Sequence, residues 1–344
     1  MTVSAEFLNP AEAARRLGVS AKALRLYEQR GLIVPIRSSA GWRAYGPEQL
    51  ARAGEIVALR ALGLSLAQVA RVIGGDARDL EPALAAHQAM LEVRARELAA
   101  TLARVRGLRA DFARGGAPSS GDLARVLAPE AELAVAFDLP WPWGGERFEL
   151  REIRRLNFII GSLGSGKTRL AMRLAETLPD AAFVGLERLA DDGAAARARL
   201  GADEALRSRV DQALAWLLDE GATASGALIA LLTELEAEGP AILVIDVVEQ
   251  GLDQATQEAL IAYLRRPRPG ARPLFLLTRS SAILDLAAVS ADEAILLCPA
   301  NHSPPTHVAP YPGTPGYEAV AMCLASPEVR ARTEGMIAWR PQVA

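Results

Sequence analysis

The feature that most restricts the fold of this chain is the eight-residue stretch Gly161-Ser-Leu-Gly-Ser-Gly-Lys-Thr168. The apolar run LNFII comes directly before it, and the helical pattern RLAMRLAETL follows. Glycines between an apolar strand and a helix let the backbone turn tightly and aim its N–H groups at one point in front of the helix. The stretch therefore predicts the strand, loop and helix of an α/β domain with a mostly parallel sheet.

The same stretch is a P-loop motif, whose residues have distinct expected roles. Lys167 is expected to reach the β- and γ-phosphates of a nucleotide. Thr168 offers a hydroxyl to Mg²⁺, and Asp246, at the end of the apolar run AILVID, offers a second ligand. GTPases usually carry an Asn-Lys-x-Asp element, which the sequence lacks, so ATP with Mg²⁺ is the expected cofactor. The predicted nucleotide-binding residues are Gly161, Ser162, Leu163, Gly164, Ser165, Gly166, Lys167, Thr168 and Arg169.

The surrounding segments resemble an ABC-type ATPase. FELREIRRLNFIIGSLGSGKT is similar to the opening of that class, and IDVVEQGLD, residues 245–253, to its Walker B and D-loop segment. TASGALIALL, residues 223–232, falls where the signature sequence of the class is expected. The chain differs from the class at Val247, which stands in place of the catalytic glutamate, and at Arg279, which stands in place of the switch histidine.

The missing glutamate bears on catalysis. Hydrolysis of ATP is expected to be slow or absent, so any ATPase activity is expected to be weak. Glu249, two residues after Val247, is the candidate catalytic residue together with Lys167. The alternative for Glu249 is a surface carboxylate.

Two features near the motif have less specific interpretations. Trp141 and Trp143 could stack on adenine, although core or interdomain packing is favoured. The Pro-rich segment 298–318 predicts a surface or interdomain loop.

A second set of patterns occupies the first 75 residues. Asn9-Pro10 followed by AEAARRLGV, and Ser20 followed by AKALRLYEQRG, predict two short helices separated by Gly18. LIVPIRSSAGWRAYG predicts a basic hairpin, and a further helix pair follows up to Ile73. The segment carries ten Lys or Arg against five Asp or Glu, whereas the whole chain has a net charge of −3. This basic part is expected to touch phosphates.

The pieces VSAKALRLYEQRGLI, GWRAY and LRALGLSLAQVARVI, in this order, resemble the winged DNA-binding domain of the MerR family of transcription regulators. The resemblance implies a recognition helix in the major groove and a wing that clamps the phosphate backbone. The alternative is that these arginines are a solvated face and the tyrosines pack in the core. The residues implied to contact DNA are Arg25 and Tyr27 in or beside the groove, and Arg37, Arg43 and Tyr45 in the wing.

A long helix is predicted after this segment, because apolar residues recur there at seven-residue spacing. In the MerR family a helix at this place pairs antiparallel with that of a second copy. The resemblance therefore implies a homodimer on a two-fold DNA site. The alternative is a helix lying across its own ATPase domain. The recurring residues are Leu84, Leu91, Leu98, Val105 and Phe112.

These patterns predict a two-domain α + α/β chain. No apolar run is long enough to span a membrane and no leader pattern is found, so a cytoplasmic protein without membrane contact is expected. Cys298 and Cys323 are too few for a disulfide framework or a four-cysteine metal site. The predicted parts are a winged helix-turn-helix at 1–76, a dimerisation helix at 77–114, a linker at 115–130 and a P-loop ATP-binding domain at 131–344.

Together the parts predict a MerR-like regulator whose dimer conformation on double-stranded promoter DNA is controlled by ATP binding. RNA polymerase is expected as an indirect partner. The alternative is a P-loop ATPase or small-molecule kinase with an accessory DNA-binding module, but Arg197 and Arg199 are too few for a kinase lid. A purely structural DNA-bridging protein leaves the P-loop without a purpose.

Overall fold

A computed structural model of the chain describes residues 7–37, 41–114, 135–151, 153–266, 271–290 and 293–331. The chain consists of two compact units. One is Met1–Ala134 with Tyr263–Ala271, and the other is Val135–Ala262 with Arg272–Ala344. The linker predicted at 115–130 lies outside the described residues.

The first unit begins with two short helices, α1 (Pro10–Leu17) and α2 (Ala21–Gln29). Asn9 caps α1, since its Oδ1 accepts the backbone N–H groups of Ala11 and Glu12, both at 3.0 Å. Gly18 ends α1 in the left-handed conformation with φ +67°, which glycine adopts without a steric penalty. Ser20 caps α2. The predicted helix pair is confirmed.

A two-stranded antiparallel hairpin follows, formed by β1 (Ile36–Arg37) and β2 (Arg43–Ala44). The helices α3 (Pro47–Ala61) and α4 (Leu66–Ile73) complete this part, and the second ends at Ile73 as predicted. Their apolar faces enclose one core. Its largest fully buried side chains are Leu24, Tyr45, Ile56, Leu64 and Leu66.

The helix α5 (Leu80–Ala113) runs for 34 residues, inside the predicted range 77–114. Most of its seven-residue repeat faces solvent within the described part of the chain. A solvent-exposed apolar row on a helix of this length is unusual for an isolated chain, because these side chains contribute no free energy of burial. The exposed members are Leu84, Leu91, Leu98 and Phe112, with Leu102 beside them.

The second unit is built on a six-stranded sheet with the order β10-β9-β5-β8-β7-β6. Five strands are parallel, and β10 pairs antiparallel with β9 at one edge. The strands are β5 (Leu156–Gly161), β6 (Ala181–Val184), β7 (Ile242–Ile245), β8 (Leu274–Leu277), β9 (Glu293–Cys298) and β10 (Thr306–His307). A separate hairpin pairs β3 (Val135–Asp138) with β4 (Arg147–Leu150).

Helices accompany this sheet, as the βα alternation predicts. The helix that follows the central strand β5 is α6 (Lys167–Thr177), which packs against β5, β6, β7 and β8. The others are α7 (Ala194–Ala202), α8 (Glu204–Asp219), α9 (Gly226–Glu236), α10 (Gln254–Arg265), α11 (Tyr317–Cys323) and α12 (Pro327–Ala331). Short 3₁₀ turns cover Leu186–Asp192 and Leu286–Ala288. None of the described helices is long and apolar enough to cross a membrane.

The strand order brings three sequence-predicted positions to one edge of the sheet. β8 lies between β5 and β7, and these three strands are parallel, so their carboxyl ends meet. Gly161 ends the first strand, and Asp246 and Arg279 follow the other two. In open parallel sheets such an edge is where ligands bind.

A partly buried pair of contacts to one carboxylate fastens the wing hairpin to α2. The hydroxyl of Tyr45 donates to Oε1 of Glu28, and Nε of Arg43 lies 2.9 Å from Oε2 of the same carboxylate. Backbone hydrogen bonds between Leu8 and Tyr45 close the opposite side, at 3.0 and 2.9 Å. The wing is therefore held to the helix by one carboxylate shared between two donors.

Removing the tyrosine hydroxyl is expected to loosen this attachment. Tyr45→Phe keeps the ring in the core but takes one donor from a nearly buried carboxylate, at a cost of about 1–2 kcal/mol. Hydrogen exchange at the amide of residue 45, which is bonded to the Leu8 carbonyl, is expected to accelerate roughly five- to thirtyfold. Tyr311→Phe, at a tyrosine that is 67% exposed, is the control and should leave that amide unchanged. Equal exchange in wild type and Tyr45→Phe would show that the hydroxyl does not hold the wing.

Candidate functional site

The glycine-rich loop has a shape that side chains would obstruct. Gly164 and Gly166 have φ values of +80° and +90°, in the left-handed region. A Cβ at Gly166 would lie 2.6 Å from the ring of Trp143, and one at Gly161 would lie 2.5 Å from the Cys298 carbonyl oxygen. Each of these glycines is therefore required either by its backbone conformation or by a close contact, as the motif predicts.

Lys167, the first residue of α6, turns back over the loop. Its Nζ donates to the carbonyl oxygens of Gly161 and Ser162, at 2.7 and 2.6 Å. Burial lowers the pKa of Lys167, and the positive charge of Arg279 lowers it further, whereas Asp246 opposes the shift. The ammonium is thus held at the loop by carbonyl dipoles in a partly desolvated place. An anion in the loop would be a stronger partner for it.

Thr168 and Asp246 meet as the sequence predicts. The Thr168 hydroxyl donates to Oδ2 of Asp246 at 3.3 Å, and the aspartate is 8% exposed. Burial raises the pKa of Asp246, while the bond from Thr168 and the charge of Arg188 oppose that rise. A hydroxyl and a carboxylate oxygen at this distance are hard donors of the kind that Mg²⁺ takes alongside phosphate and water. No group of three or more His, Cys, Asp or Glu side chains suited to a metal occurs within the described ranges.

A buried arginine that the sequence analysis missed supports the loop behind Asp246. Arg188 donates from Nη1 to the Gly185 and Asp246 carbonyl oxygens, at 2.7 and 2.9 Å, and from Nη2 to the Val247 carbonyl oxygen at 2.9 Å. Val247 has a φ of +40°, which is strained for a β-branched residue. Burial lowers the pKa of Arg188, and the charge of Asp246 opposes this. In sequence, one more arginine after a strand does not differ from a surface residue.

Glu249 does not lie on the surface, so the alternative considered for it is wrong. It is 3% exposed, and its Oε1 accepts the backbone N–H of Arg279 at 3.0 Å. Its side chain lines the same pocket as Lys167 and Asp246. A catalytic role for Glu249 stays a prediction.

A pocket of about 290 Å³ opens over the loop. Trp141 and Leu163 line it and are 75% and 86% exposed, so Trp141 does not pack in the core of this unit. Trp143 is buried, as favoured, and its Nε1 donates to the Ser303 carbonyl oxygen at 3.0 Å. The pocket is lined by Trp141, Pro142, residues 163–169, Asp246, Val247, Glu249 and residues 277–279.

The Pro-rich segment lies against the loop, although its sequence gave no sign of this. His302 has a ring nitrogen 3.1 Å from the Gly164 carbonyl oxygen. With the bond from Trp143 to Ser303, two contacts tie residues 302–303 to the glycine-rich loop and to the turn beside it. The contacts join residues more than a hundred positions apart, which no local pattern reveals.

The segment TASGALIALL forms a helix start away from the pocket-lining residues. Ser225 caps α9, since its hydroxyl accepts the Leu228 N–H at 3.1 Å. Thr223 donates its N–H to the Thr256 hydroxyl at 2.9 Å, which ties the segment to α10. The predicted place of this segment as the signature sequence stays a prediction.

In the first unit, the predicted DNA-contact residues divide into exposed and buried ones. Arg25, Arg37 and Arg43 are exposed on α2 and the hairpin. Tyr27 and Tyr45 are 5% and 0% exposed, so they pack in the core, the alternative stated for them. Their DNA contacts stay predictions. Sequence reasoning also passed over the exposed Trp42 of the wing and the carboxylate of Glu28, which no signal in the sequence pairs with Arg43.

Comparison with known proteins shows which family the first part of the chain matches. Residues 8–75 match the family described as MerR HTH family regulatory protein. A curated relative, a probable heavy metal-dependent transcriptional regulator of Haemophilus influenzae, is 43% identical over 67 residues, which are 19% of this chain and 52% of the relative. Residues 8–75 form a MerR-family helix-turn-helix domain. The chain spans about half the length of that curated relative.

Solved structures match both parts of the chain loosely. HiNmlR, a MerR family regulator lacking the sensor domain and bound to promoter DNA, covers 30% of this chain and 90% of its own, with 24% identity and a TM-score of 0.25. A putative metal-chelate type ABC transporter covers 52% and 83%, with 16% identity and a TM-score of 0.35. The SMC head domain of Thermotoga maritima covers 51% and 98%, with 13% identity and a TM-score of 0.36. For the residues beyond the MerR-family domain, the description therefore rests on the contacts within this chain.

Two aspartates of the second unit are expected to change its stability in opposite directions when each is replaced by a neutral residue. Because burial raises the pKa of Asp246, its ionised form destabilises the fold above its unfolded pKa, and Asp246→Asn should raise the unfolding midpoint of this unit at pH 7. For Asp253, burial raises the pKa but hydrogen bonds from Thr256 and Thr223 outweigh it, and the net pKa is lowered. That carboxylate stabilises the fold above its unfolded pKa and loses this effect as the pH falls.

Asp253 caps α10, since its Oδ1 accepts the Thr256 backbone N–H at 2.7 Å. Asp253→Ala should therefore lower the free energy of unfolding by about 0.5–2 kcal/mol, and the midpoint with it. Scanning calorimetry at pH 7 and about pH 3 measures both variants, and the deficit of Asp253→Ala should shrink at the lower pH, because the stabilisation is lost as the pH falls below the unfolded pKa and through the lowered folded pKa. A lower midpoint for Asp246→Asn at pH 7 would contradict the assignment of a destabilising buried charge.

Proposed function

We propose that this chain is a MerR-like transcription regulator whose dimer on promoter DNA is controlled by ATP binding in the second unit. One observation carries the proposal. A MerR-family domain at residues 8–75 shares a chain with a glycine-rich loop at which Lys167, Thr168 and Asp246 converge. The first part supplies DNA binding, and the second supplies a phosphate-binding geometry.

In this proposal the glycine-rich loop binds the phosphates. Its backbone N–H groups precede α6, and an anion at a helix N-terminus is stabilised by those groups and by the helix dipole. Lys167 exchanges its bonds to loop carbonyls for bonds to phosphate oxygens. Trp141 offers an exposed aromatic face at the pocket mouth for the adenine ring.

Thr168 and Asp246 hold Mg²⁺ in this proposal. Mg²⁺ bound there neutralises charge on the β- and γ-phosphates. The high cost of the buried Asp246 carboxylate falls when a cation lies beside it, so the proposed metal explains why the fold keeps that charge. Arg188 positions the same aspartate by holding its carbonyl oxygen.

Nucleotide turnover is slow in this proposal. Val247 has no group that can accept a proton from water, and the Glu249 carboxylate already accepts the Arg279 backbone N–H. The bound nucleotide therefore acts as a ligand that selects between dimer arrangements, and the free energy comes from binding.

The long helix provides the dimer. Its uncovered apolar row matches a second copy of itself in an antiparallel arrangement, since a two-fold axis brings the same row from both copies together. A dimer then presents two MerR-family domains to the two halves of one operator, where RNA polymerase is an indirect partner.

The alternative, a small-molecule kinase with an accessory DNA-binding module, finds less support. Arg197 donates to the Asp191 and Asp192 carbonyl oxygens, and Arg199 pairs with Glu234 at 2.6 Å. These arginines are engaged in the local fold, away from the described pocket lining.

The decisive experiment measures DNA binding in three nucleotide states. Anisotropy of the labelled promoter region is recorded with no nucleotide, with ADP and with a non-hydrolysable ATP analogue, for wild type and Lys167→Ala. Wild-type affinity is expected to change at least about fivefold with the ATP analogue, the lower bound for allosteric coupling. Lys167→Ala, which removes the ammonium from the loop, should keep one affinity in all three states.

Arg173→Ala is the matched control, since Arg173 lies on α6 outside the pocket-lining residues and pairs with Glu176 at 3.3 Å. It should respond like wild type. Promoter binding that is identical in all three states would reject ATP control, and absence of promoter binding would reject the regulator itself.

The dimer interface is tested on the long helix. Leu91→Asp combined with Leu98→Asp places charges in the apolar row and is expected to weaken dimerisation at least about a hundredfold, because each buried leucine contributes about 1.5–3 kcal/mol. Light scattering over a concentration series measures the change. Leu218→Asp, at a leucine that is 44% exposed on α8, is the control. A double variant that stays dimeric would place the interface elsewhere.

A further inference from the structure

The connection between β9 and β10, residues 299–305, starts beside the glycine-rich loop. β9 pairs in parallel with β5 along its whole length, and the last pair in this register is Gly161 with Cys298. A Cβ at Gly161 would lie 2.5 Å from the Cys298 carbonyl oxygen and 3.2 Å from the Cys298 Cβ. The chain that leaves β9 is therefore in contact with the first glycine of the loop.

A side chain of this connection makes a second contact, in the middle of the loop. Nε2 of His302 lies 3.1 Å from the carbonyl oxygen of Gly164. A carbonyl oxygen only accepts hydrogen bonds, so this contact requires a proton on Nε2. The His302 N–H donates to the Pro299 carbonyl oxygen at 3.2 Å, and the φ of His302 is +59°. A tight turn with a left-handed residue, a conformation in which histidine is enriched, thus places the ring on the loop.

Trp143 joins the same connection to the end of the loop. Its indole is 4% exposed, and its Nε1 donates to the Ser303 carbonyl oxygen at 3.0 Å. The ring lies so close to Gly166 that a Cβ there would be 2.6 Å from it. The connection is therefore linked to the loop at its first glycine, at its middle and, through Trp143, at its last glycine.

The middle contact fixes the direction of one loop peptide. In a trans peptide the carbonyl group of Gly164 and the N–H of Ser165 point in opposite directions. Since His302 holds the carbonyl oxygen, the Ser165 N–H points away from His302, and it donates to the Ser162 carbonyl oxygen at 3.3 Å. This bond is long for an N–H donor, so a phosphate oxygen can replace it. A peptide that follows glycine turns easily, so an outside partner decides its direction.

We propose that His302 is a positioning residue for phosphate binding, because it holds the peptide between Gly164 and Ser165 with its N–H turned into the loop. The inference rests on the proposed nucleotide binding. His302 is not among the residues that line the described pocket, so it acts through the loop and not on the nucleotide itself. A donor that already points at the phosphate site costs no free energy of reorientation when the anion binds.

The position of the contact determines which nucleotides are affected. The backbone N–H groups of such a loop surround the α- and β-phosphates, which a nucleoside diphosphate and a triphosphate share. Loss of the contact should therefore weaken both nucleotides by the same factor. A residue that met the terminal phosphate would weaken only the triphosphate.

The test compares two unbranched replacements of similar length, one with a donor and one without. Glutamine can place its amide N–H near the position of Nε2, whereas methionine has no N–H. Fluorescence titration of the full chain with Mg²⁺ measures the Kd of ADP and of a non-hydrolysable ATP analogue. His302→Met is expected to weaken both about two- to tenfold, the range of one hydrogen bond, and His302→Gln should keep most of the affinity. His307→Met, at an exposed histidine of β10, is the control and should bind like wild type.

Hydrogen exchange in the nucleotide-free protein tests the contact itself. The Ser165 amide should exchange about two- to tenfold faster in His302→Met than in wild type and His302→Gln, because its peptide is no longer held. The thermal unfolding midpoint should stay at the wild-type value, since His302 is exposed.

The outcomes separate this inference from the proposal beneath it. Equal nucleotide affinities in wild type and His302→Met overturn the role of His302 while nucleotide binding stands. Equal weakening in His302→Met and His302→Gln also overturns it, because the donor then makes no difference. Wild-type protein that binds neither nucleotide, and does not differ from Lys167→Ala, overturns the proposed function and the inference with it.

Discussion

The parallel pairing of β8 with both β5 and β7 is the constraint on which the candidate site depends. These pairings fix three carboxyl ends at one edge, and the residues that follow the strands inherit their positions. Asn157 strengthens the first pairing, because its buried amide donates to the Leu274 carbonyl oxygen at 3.1 Å while its oxygen accepts the Arg154 N–H at 2.8 Å. A shift of β8 by one residue would turn Arg279 to the other face and remove it from the pocket.

The site holds charges that the fold alone would not favour. Burial lowers the pKa values of Lys167 and Arg188 and raises that of Asp246, so each ionised form carries a desolvation cost. Carbonyl oxygens accept hydrogen bonds from both cations, and the Thr168 hydroxyl donates one to the aspartate. Charged groups that cost stability, and whose positions backbone contacts fix, are typical of a binding site. A hydrophobic core has no need of them.

The sequence predicted the local structure well and the long-range contacts poorly. The cap at Asn9, the left-handed Gly18 and the helix start at Lys167 follow from patterns a few residues long. The meeting of Thr168 with Asp246 was also predictable, because both follow strands of one parallel sheet. Arg188, which holds the loop behind Asp246, had no such signal.

Other parts of the site escaped prediction for the same reason. His302 reaches the Gly164 carbonyl oxygen from a Pro-rich segment whose composition predicts only a loop. Glu28 joins Tyr45 and Arg43 from a helix face with no distinguishing pattern in the sequence. The burial of Glu249 likewise depends on the Arg279 backbone, which lies 30 residues away. Periodicity and caps encode which element forms, whereas the partner of a buried polar group is decided only when the elements pack.

The proposed regulator places a quantitative demand on its ligand. A nucleotide that binds both dimer arrangements equally shifts nothing, so the response equals the ratio of its affinities for the two. In a two-fold dimer both sites contribute, and a tenfold preference at each multiplies to about a hundredfold, which moves an equilibrium from roughly 1:10 to 10:1. One charge-assisted hydrogen bond to phosphate per subunit is of this size. A regulator of this kind therefore needs no large rearrangement of the nucleotide site, only a terminal-phosphate contact that forms in one arrangement and is lost in the other.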